Sequence, residues 1–169
     1  MRPLRLVAGM ALVLALADFP VAAVSDALPT LSQEATEVLD QAKAVTLYSL
    51  EPTIRTERPG RSLDDFGVLG KTLLDPAEAS RAIAAFRAAM KAGASPDRLV
   101  AACFDPRHAI SIRAGGHRYD YLLCYACGSL EVFRDGKPIS GVPARGSPDS
   151  LNSLLRSHGL PLSKSSEDD

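Results

Sequence analysis

The sequence is poor in aromatic residues: its 169 residues include no tryptophan, five phenylalanines and four tyrosines. Its core must therefore be built mainly from aliphatic side chains and alanine. A basic excess is also missing, because 19 lysine and arginine residues are balanced by 20 aspartate and glutamate residues. Phosphate contacts to nucleic acid need such an excess. The composition therefore argues against a nucleic-acid partner.

A long apolar run is missing as well, since the run from Leu6 to Ala17 is well short of the roughly 20 residues that a membrane-spanning helix needs. This run follows a basic start at Arg2 and Arg5 and precedes small residues at 21–25, which is the order of a secretory signal peptide. We therefore predict that residues 1–25 are a signal peptide. The mature protein is then exported, periplasmic or secreted, with no stable membrane span. An uncleaved signal anchor is the alternative.

Residues 26–162 are enough for one domain with its own core, and the polar, acidic residues 163–169 predict a disordered tail. Helical and strand patterns occur in separate runs, which predicts an α+β fold. We expect an antiparallel β-meander of about four to five strands packed against two or three helices. The predicted elements are helices from Thr30 or Ser32 to Ala44, from Pro76 to Ala92 and from Ser147 to Gly159, strands at Val45–Leu50, Leu99–Phe104, Ala109–Arg113, Tyr119–Phe133 and near Ile139, and a loop from Pro52 to Lys71.

One hairpin can be given a register. If Gly115 and Gly116 form a two-residue turn, the residue numbers of each cross-strand pair have a constant sum. Ile112 then lies opposite Tyr119, and His108 lies opposite Leu123. A slip by one residue would move every side chain to the other face of the sheet.

All three cysteines lie in one stretch of the chain, at Cys103, Cys124 and Cys127. In an oxidising compartment three thiols predict one disulfide and one odd cysteine. We expect Cys103 to pair with Cys124 or Cys127, because an unbroken strand would point Cys124 and Cys127 to opposite faces. A bulge or turn near Gly128 would instead bring those two sulfurs together.

Two alternatives give the same cysteines a chemical role. Cys103, His108, Cys124 and Cys127 offer the donor atoms of a structural zinc site, although their spacing is not that of a standard zinc finger. A thiol-redox role would use the third thiol to resolve a mixed disulfide. Functional dithiols usually sit at a helix N-terminus, and no helical pattern follows this motif.

A ligand site is a further candidate at this place. Arg107 and His108 follow a proline turn, near Tyr125, and a guanidinium beside an imidazole can hold a carboxylate or phosphate group. The alternative is structural: Arg107 binds a local carboxylate, and His108 satisfies backbone groups around the turn.

The segments Cys103-Phe104-Asp105-Pro106-Arg107-His108 and Cys124-Tyr125-Ala126-Cys127-Gly128 resemble an uncharacterised family of small exported bacterial proteins. That family carries C-F-x-P-R-H and then C-F/Y-x-C-G. The resemblance implies that the cysteine, arginine and histidine positions form one unit, and it implies no substrate.

No nucleophile elbow, zinc-protease motif or dinucleotide fingerprint occurs in the sequence. We therefore expect a non-enzymatic exported domain without a cofactor, which binds an unknown protein or small ligand and whose Cys/Arg/His cluster stabilises the sheet. The alternative function is a thiol-redox or zinc-dependent activity centred on Cys103, His108, Cys124 and Cys127.

Overall fold

The computed structural model describes residues 30–55, 61–95 and 103–164. This part of the chain contains three helices and seven strands. The helices are α1 (Gln33–Asp40), α2 (Pro76–Gly93) and α3 (Asp149–Ser157). The strands are β1 (Val45–Arg55), β2 (Ser62–Leu63), β3 (Phe66–Leu73), β4 (His108–Ala114), β5 (His117–Cys124), β6 (Ser129–Arg134) and β7 (Lys137–Pro143).

The seven strands form one curled antiparallel sheet in the order β2-β3-β1-β4-β5-β6-β7. The α+β prediction is confirmed, and the predicted strand count was too low. Two additional strands, β2 and β3, lie largely in the segment from Pro52 to Lys71, for which the sequence predicts a loop, and β1 also continues into that segment. A further strand arises because Tyr119–Phe133, predicted as one strand, contains both β5 and β6. Proline lacks a backbone N–H, and here it falls where the β1–β3 register is irregular, between Glu51 and Arg55. Asp64 and Asp65, with φ of 46° and 72°, make the turn between β2 and β3.

The β4–β5 hairpin has the predicted register. Gly115 and Gly116 form its turn at positive φ, 57° and 82°, which glycine adopts at little cost. Ile112 pairs with Tyr119, and His108 pairs with Leu123. The hairpin therefore has one face toward the helices and one face away from them.

Helix α2 begins where the sequence predicts it. The Asp75 carboxylate accepts a hydrogen bond from the Glu78 amide at 2.8 Å, and the Glu78 carboxylate accepts one from the Asp75 amide at 3.3 Å. At its other end Gly93 lies so close to the Pro143 and Ala144 backbone that a Cβ there would clash. A glycine thus lets the helix end pack directly on the sheet.

The main core lies between the three helices and one face of the sheet. Its largest members include Phe86, Leu47, Ile110, Tyr121 and Leu155. A smaller apolar cluster lies on the opposite face, where the curl of the sheet folds β2 and β3 inward; it contains Leu50, Leu63, Phe66, Ala109 and Leu122. Tyr48, Val68, Phe104 and Phe133 are partly buried and pack against this cluster.

Several predictions concern residues outside the described ranges. These are the signal peptide at 1–25, most of the strand at Leu99–Phe104, and residues 165–169 of the tail. Ser163 is the first residue of the predicted disordered tail, but it is buried and donates a hydrogen bond to Glu51 at 3.1 Å. Among the described helices, none has the length and apolar character needed to span a bilayer.

Candidate functional site

The C-x-x-C segment is bent into a disulfide. Strand β5 ends at Cys124, a turn follows, and β6 begins at Ser129 and pairs back onto β5. Gly128 has φ of 71°, and its amide donates to the Tyr125 carbonyl at 3.1 Å. The turn brings the Cα atoms of Cys124 and Cys127 to 5.2 Å, and their sulfurs are bonded.

The predicted disulfide between Cys103 and either Cys124 or Cys127 was therefore wrong. The sequence pattern from Tyr119 to Phe133 predicts one strand interrupted at Gly128, and in a continuous strand the side chains of Cys124 and Cys127 would point to opposite faces. Two strands and a hairpin turn occupy this segment instead. The prediction that a disulfide forms is confirmed, with a different pair.

Cys103 lies beside this disulfide as a free thiol. Its Sγ atom is 3.8 Å from the Sγ atom of Cys127. Cys103 is exposed, whereas Cys124 and Cys127 are each only 2% exposed. An exposed thiol thus lies next to a sulfur of a buried disulfide.

Backbone amides point at both disulfide sulfurs. The Asp105 amide donates to Cys127 Sγ at 3.2 Å, and the Cys127 amide donates to Cys124 Sγ at 3.0 Å. A hydrogen bond to a sulfur stabilises its charged form more than its neutral form. Either sulfur would therefore be stabilised as a thiolate when the disulfide opens.

His108 lies on the helix side of the sheet and not in an open ligand site. Its Nε2 atom is 2.8 Å from Oδ1 of Asn152 in α3, and its ring meets the Tyr125 ring edge-on with centroids 6.1 Å apart. An amide oxygen only accepts, so Nε2 carries the hydrogen. Burial lowers the pKa of His108 to about 4. The imidazole is therefore neutral at physiological pH and joins the sheet to α3.

Arg107 is half-buried next to His108. Its amide donates to the Leu123 carbonyl at 3.3 Å, and its carbonyl accepts from the Leu50 amide at 2.9 Å. The structure thus brings the predicted residues Arg107, His108 and Tyr125 to the same end of the sheet as the cysteines. Since His108 is neutral and already hydrogen-bonded, it adds no positive charge for an anionic ligand.

The predicted zinc ligands are not arranged as a four-ligand set. Cys124 and Cys127 share a disulfide, and His108 binds Asn152. A different group has its donor atoms within 4.8 Å of one another: Cys103, Asp105 and Cys127. Only after reduction would both of its sulfurs be available as thiolates.

A second polar cluster was missed by the sequence analysis. On the sheet face away from the helices, Arg118 Nε donates to Asp120 Oδ2 at 2.5 Å, and Arg118 Nη2 donates to Asp64 Oδ1 at 3.3 Å. Asp120 is fully buried, and the Asp64 side chain is 1% exposed. A signal existed for Asp120, which is an acid between two strand tyrosines. No sequence signal existed for Asp64, because only the curl of the sheet brings the β2–β3 turn to β5.

Asn152 was also missed. It lies between Leu151 and Leu154, at a helix position where an apolar residue would be usual, and it is only 4% exposed. A polar residue on the buried stripe of a helix needs a buried partner. Such a residue can be recognised in a sequence, but its partner cannot.

We compared the chain with protein families, curated proteins and solved structures. No family model, no curated protein and no solved structure matches it.

Proposed function

We propose that the protein catalyses thiol–disulfide exchange at a centre formed by Cys103, Cys124 and Cys127. The observation that carries the proposal is the contact of 3.8 Å between the exposed Cys103 thiol and a sulfur of the Cys124–Cys127 disulfide. A disulfide that serves only to close a turn has no need of a third sulfur next to it. Export would suit this function, because protein disulfides persist in oxidising compartments.

The first step is an internal exchange. Cys103 gives up its proton to solvent, and its thiolate attacks Cys127 Sγ. The Cys103–Cys127 bond forms while the Cys124–Cys127 bond breaks, and the electron pair leaves on Cys124 Sγ. The Cys127 amide already donates to that atom and stabilises the thiolate. No net oxidation occurs, since one disulfide replaces another.

The following steps use a partner that carries two thiols, an exported protein or peptide. One partner thiolate attacks the exposed Cys103 Sγ, which releases Cys127 as a thiolate and forms a mixed disulfide. The second partner thiolate attacks the partner's own sulfur in that disulfide and releases Cys103. The partner is oxidised to a disulfide, and the protein's disulfide is reduced to two thiols. The same steps in reverse reduce a partner disulfide.

A structural role for the cluster is the competing function. It is favoured by the burial of Cys124 and Cys127 and by the position of their disulfide, which closes the β5–β6 turn. In that case the domain binds a protein or ligand elsewhere, and Cys103 is incidental. The two functions differ in what Cys103 does to the disulfide.

The test replaces single cysteines. In Cys124→Ser, non-reducing peptide mapping should recover a Cys103–Cys127 disulfide after mild oxidation. In Cys103→Ser, the Cys124–Cys127 disulfide should remain, but its rate of exchange with a dithiol peptide should fall by about tenfold or more, since the accessible attacking sulfur is gone. Ala126→Ser is the matched control, because Ala126 is exposed in the same turn and carries no sulfur. Its exchange rate should equal that of the unmodified protein.

The opposite results would support the structural role. In one such result, Cys103→Ser exchanges its disulfide as fast as Ala126→Ser does. In the other, Cys124→Ser keeps two free thiols under oxidation.

Thiol counting checks the starting state of the native protein. One cysteine should be alkylated before reduction, and three should be alkylated after it.

Zinc binding remains the second candidate, on the proximity of Cys103, Asp105 and Cys127. It predicts that the reduced protein takes up zinc and that zinc protects Cys103 from alkylation. Zinc uptake unchanged in Cys103→Ser would exclude this group as the binding site.

A further inference from the structure

A cavity of about 500 Å³ opens on the sheet face away from the helices. Four strands line it: β1 with Thr46 and Tyr48, β3 with Lys71, β4 with Ser111 and Arg113, and β5 with Arg118. Cavities of this size are typical of small-molecule sites. It lies apart from the cysteine residues, which do not line it, so its role is independent of the proposed exchange activity.

Among the described residues that line the cavity, every charged side chain is positive. Arg113 and Arg118 are directly opposite each other on adjacent strands, an arrangement of like charges that destabilises a sheet. Lys71 is opposite Tyr48 on the neighbouring pair of strands, with its Nζ atom 5.7 Å from the centre of the Tyr48 ring. Three cations thus surround one opening.

Only one of these cations has an acidic partner among the described residues. Arg118 is held from beneath by Asp120 and Asp64. Within the described part of the chain, Arg113 makes no hydrogen bond or ion pair, and the contact of Lys71 is with an aromatic ring. The three cations outnumber the two acids even when both acids are ionised.

The two acids fix the direction of the Arg118 side chain. Asp64 Oδ2 and Asp120 Oδ1 are buried and have no hydrogen-bond partner among the described residues. Burial and the neighbouring Asp120 carboxyl raise the pKa of Asp64 to about 7. The other oxygen of each carboxyl group accepts from Arg118. A guanidinium has five N–H donors, so Arg118 retains donors that are free to face the cavity.

We propose that this cavity binds a small organic anion, whose carboxylate or phosphate group is held by Arg113, Lys71 and Arg118. The hydroxyl groups of Thr46 and Ser111 add neutral hydrogen-bonding partners, and the Tyr48 ring offers a flat apolar surface for the rest of the ligand. The ligand relieves the repulsion between the paired arginines, and it needs no rearrangement of Arg118. Carboxylate and phosphate share this chemistry, and the test separates them.

The experiment titrates the full folded chain with benzoate, phenyl phosphate and inorganic phosphate, and follows backbone amides by NMR. Saturable shifts should appear at Tyr48, Lys71, Ser111 and Arg113 with at least one probe. Benzoate alone would identify a carboxylate ligand, phenyl phosphate alone would identify a phosphate ligand, and both together would identify a general anion site.

Arg113→Met tests the residue on which the proposal depends most. Its Kd for the active probe should rise by about tenfold or more, as expected for the loss of a charge-assisted hydrogen bond. The matched control is Arg156→Met, because Arg156 is an exposed arginine of α3 on the helical side, and its Kd should not change. The proposal is overturned if no probe gives saturable shifts at these residues up to about 10 mM, a weak affinity for any small-molecule site. Equal Kd values for the two variants would overturn it as well.

Discussion

The sulfur centre and the charged cavity are built in different ways. The three cysteines come from one short part of the chain, and a single hairpin turn brings two of them together. The cavity and the acids beneath it take residues from β1, β3, β4, β5 and the β2–β3 turn. The first is therefore a local arrangement, and the second exists only when the sheet has curled.

The two regions also respond to pH in opposite directions. Burial lowers the pKa of His108 from 6.5 to about 4, so its contribution to stability is present above about pH 6.5 and is lost as the pH falls toward 4. Burial and the nearby Asp120 raise the pKa of Asp64 from 3.8 to about 7, so its contribution is present below about pH 4 and is lost as the pH rises through 7. Between pH 4 and pH 7, His108 therefore adds to stability at the higher pH, and Asp64 adds to it at the lower pH.

The largest expected effect on stability comes from removing Arg118, the positively charged partner of Asp64 and Asp120. Arg118→Met leaves the buried carboxyls of Asp120 and Asp64 without a positively charged partner. This should lower the free energy of unfolding at pH 7.5 by about 3 kcal/mol. That value is at the lower end of the cost of breaking a buried ion pair, because Arg118 is partly exposed. Urea unfolding measures this cost, and it should shrink at pH 5, where Asp64 is protonated. Arg113→Met removes the same charge from the opposite strand and should change stability by less than about 0.5 kcal/mol. Equal losses in the two variants would show that the acid pair does not depend on Arg118.

A smaller effect is expected at the sulfur end of the sheet. Asn152→Ala removes the partner of the buried His108 Nε2 atom, and an unsatisfied buried donor costs about 1–3 kcal/mol. The loss should appear in urea unfolding at pH 7.5. Ser153→Ala, at the next and exposed helix position, is the control and should be near neutral. If both variants unfold at the same midpoint, the hydrogen bond between β4 and α3 contributes nothing.

The smallest expected effect is that of Asp64→Asn, which tests the pH dependence of stability on the charged face of the sheet. Asp64→Asn keeps an oxygen that accepts from Arg118 and cannot ionise, so it should stabilise the protein at pH 8 by on the order of 1 kcal/mol and flatten stability between pH 5 and 8. Asp65→Asn changes the exposed neighbour in the same turn and should leave that profile unchanged. The measurement is the urea midpoint across this pH range. A profile of Asp64→Asn that parallels that of Asp65→Asn would contradict a raised Asp64 pKa.

The structural predictions that were correct depended on sequence motifs of only a few residues. Asp75, Pro76 and Glu78 lie within one helical turn and fixed the start of α2, and the two glycines at 115 and 116 determined the β4–β5 register. Capping and turn geometry depend on backbone conformation over a few residues, and each residue type has clear preferences there. The presence of a disulfide followed in the same way from the number of cysteines and an expected oxidising location.

Tertiary structure decided which groups meet. No local pattern distinguishes a strand that passes through Gly128 from one that turns back there, because the choice depends on the pairing of β6 with β5 and β7. That choice placed Cys127 next to Cys124, and Cys103 lies beside Cys127. The contacts of His108 with Asn152 and of Arg118 with Asp64 join residues far apart in the chain. Such contacts are set by the packing of α3 and the curl of the sheet, which minimise exposed apolar surface over the whole domain and leave no signature in any one segment.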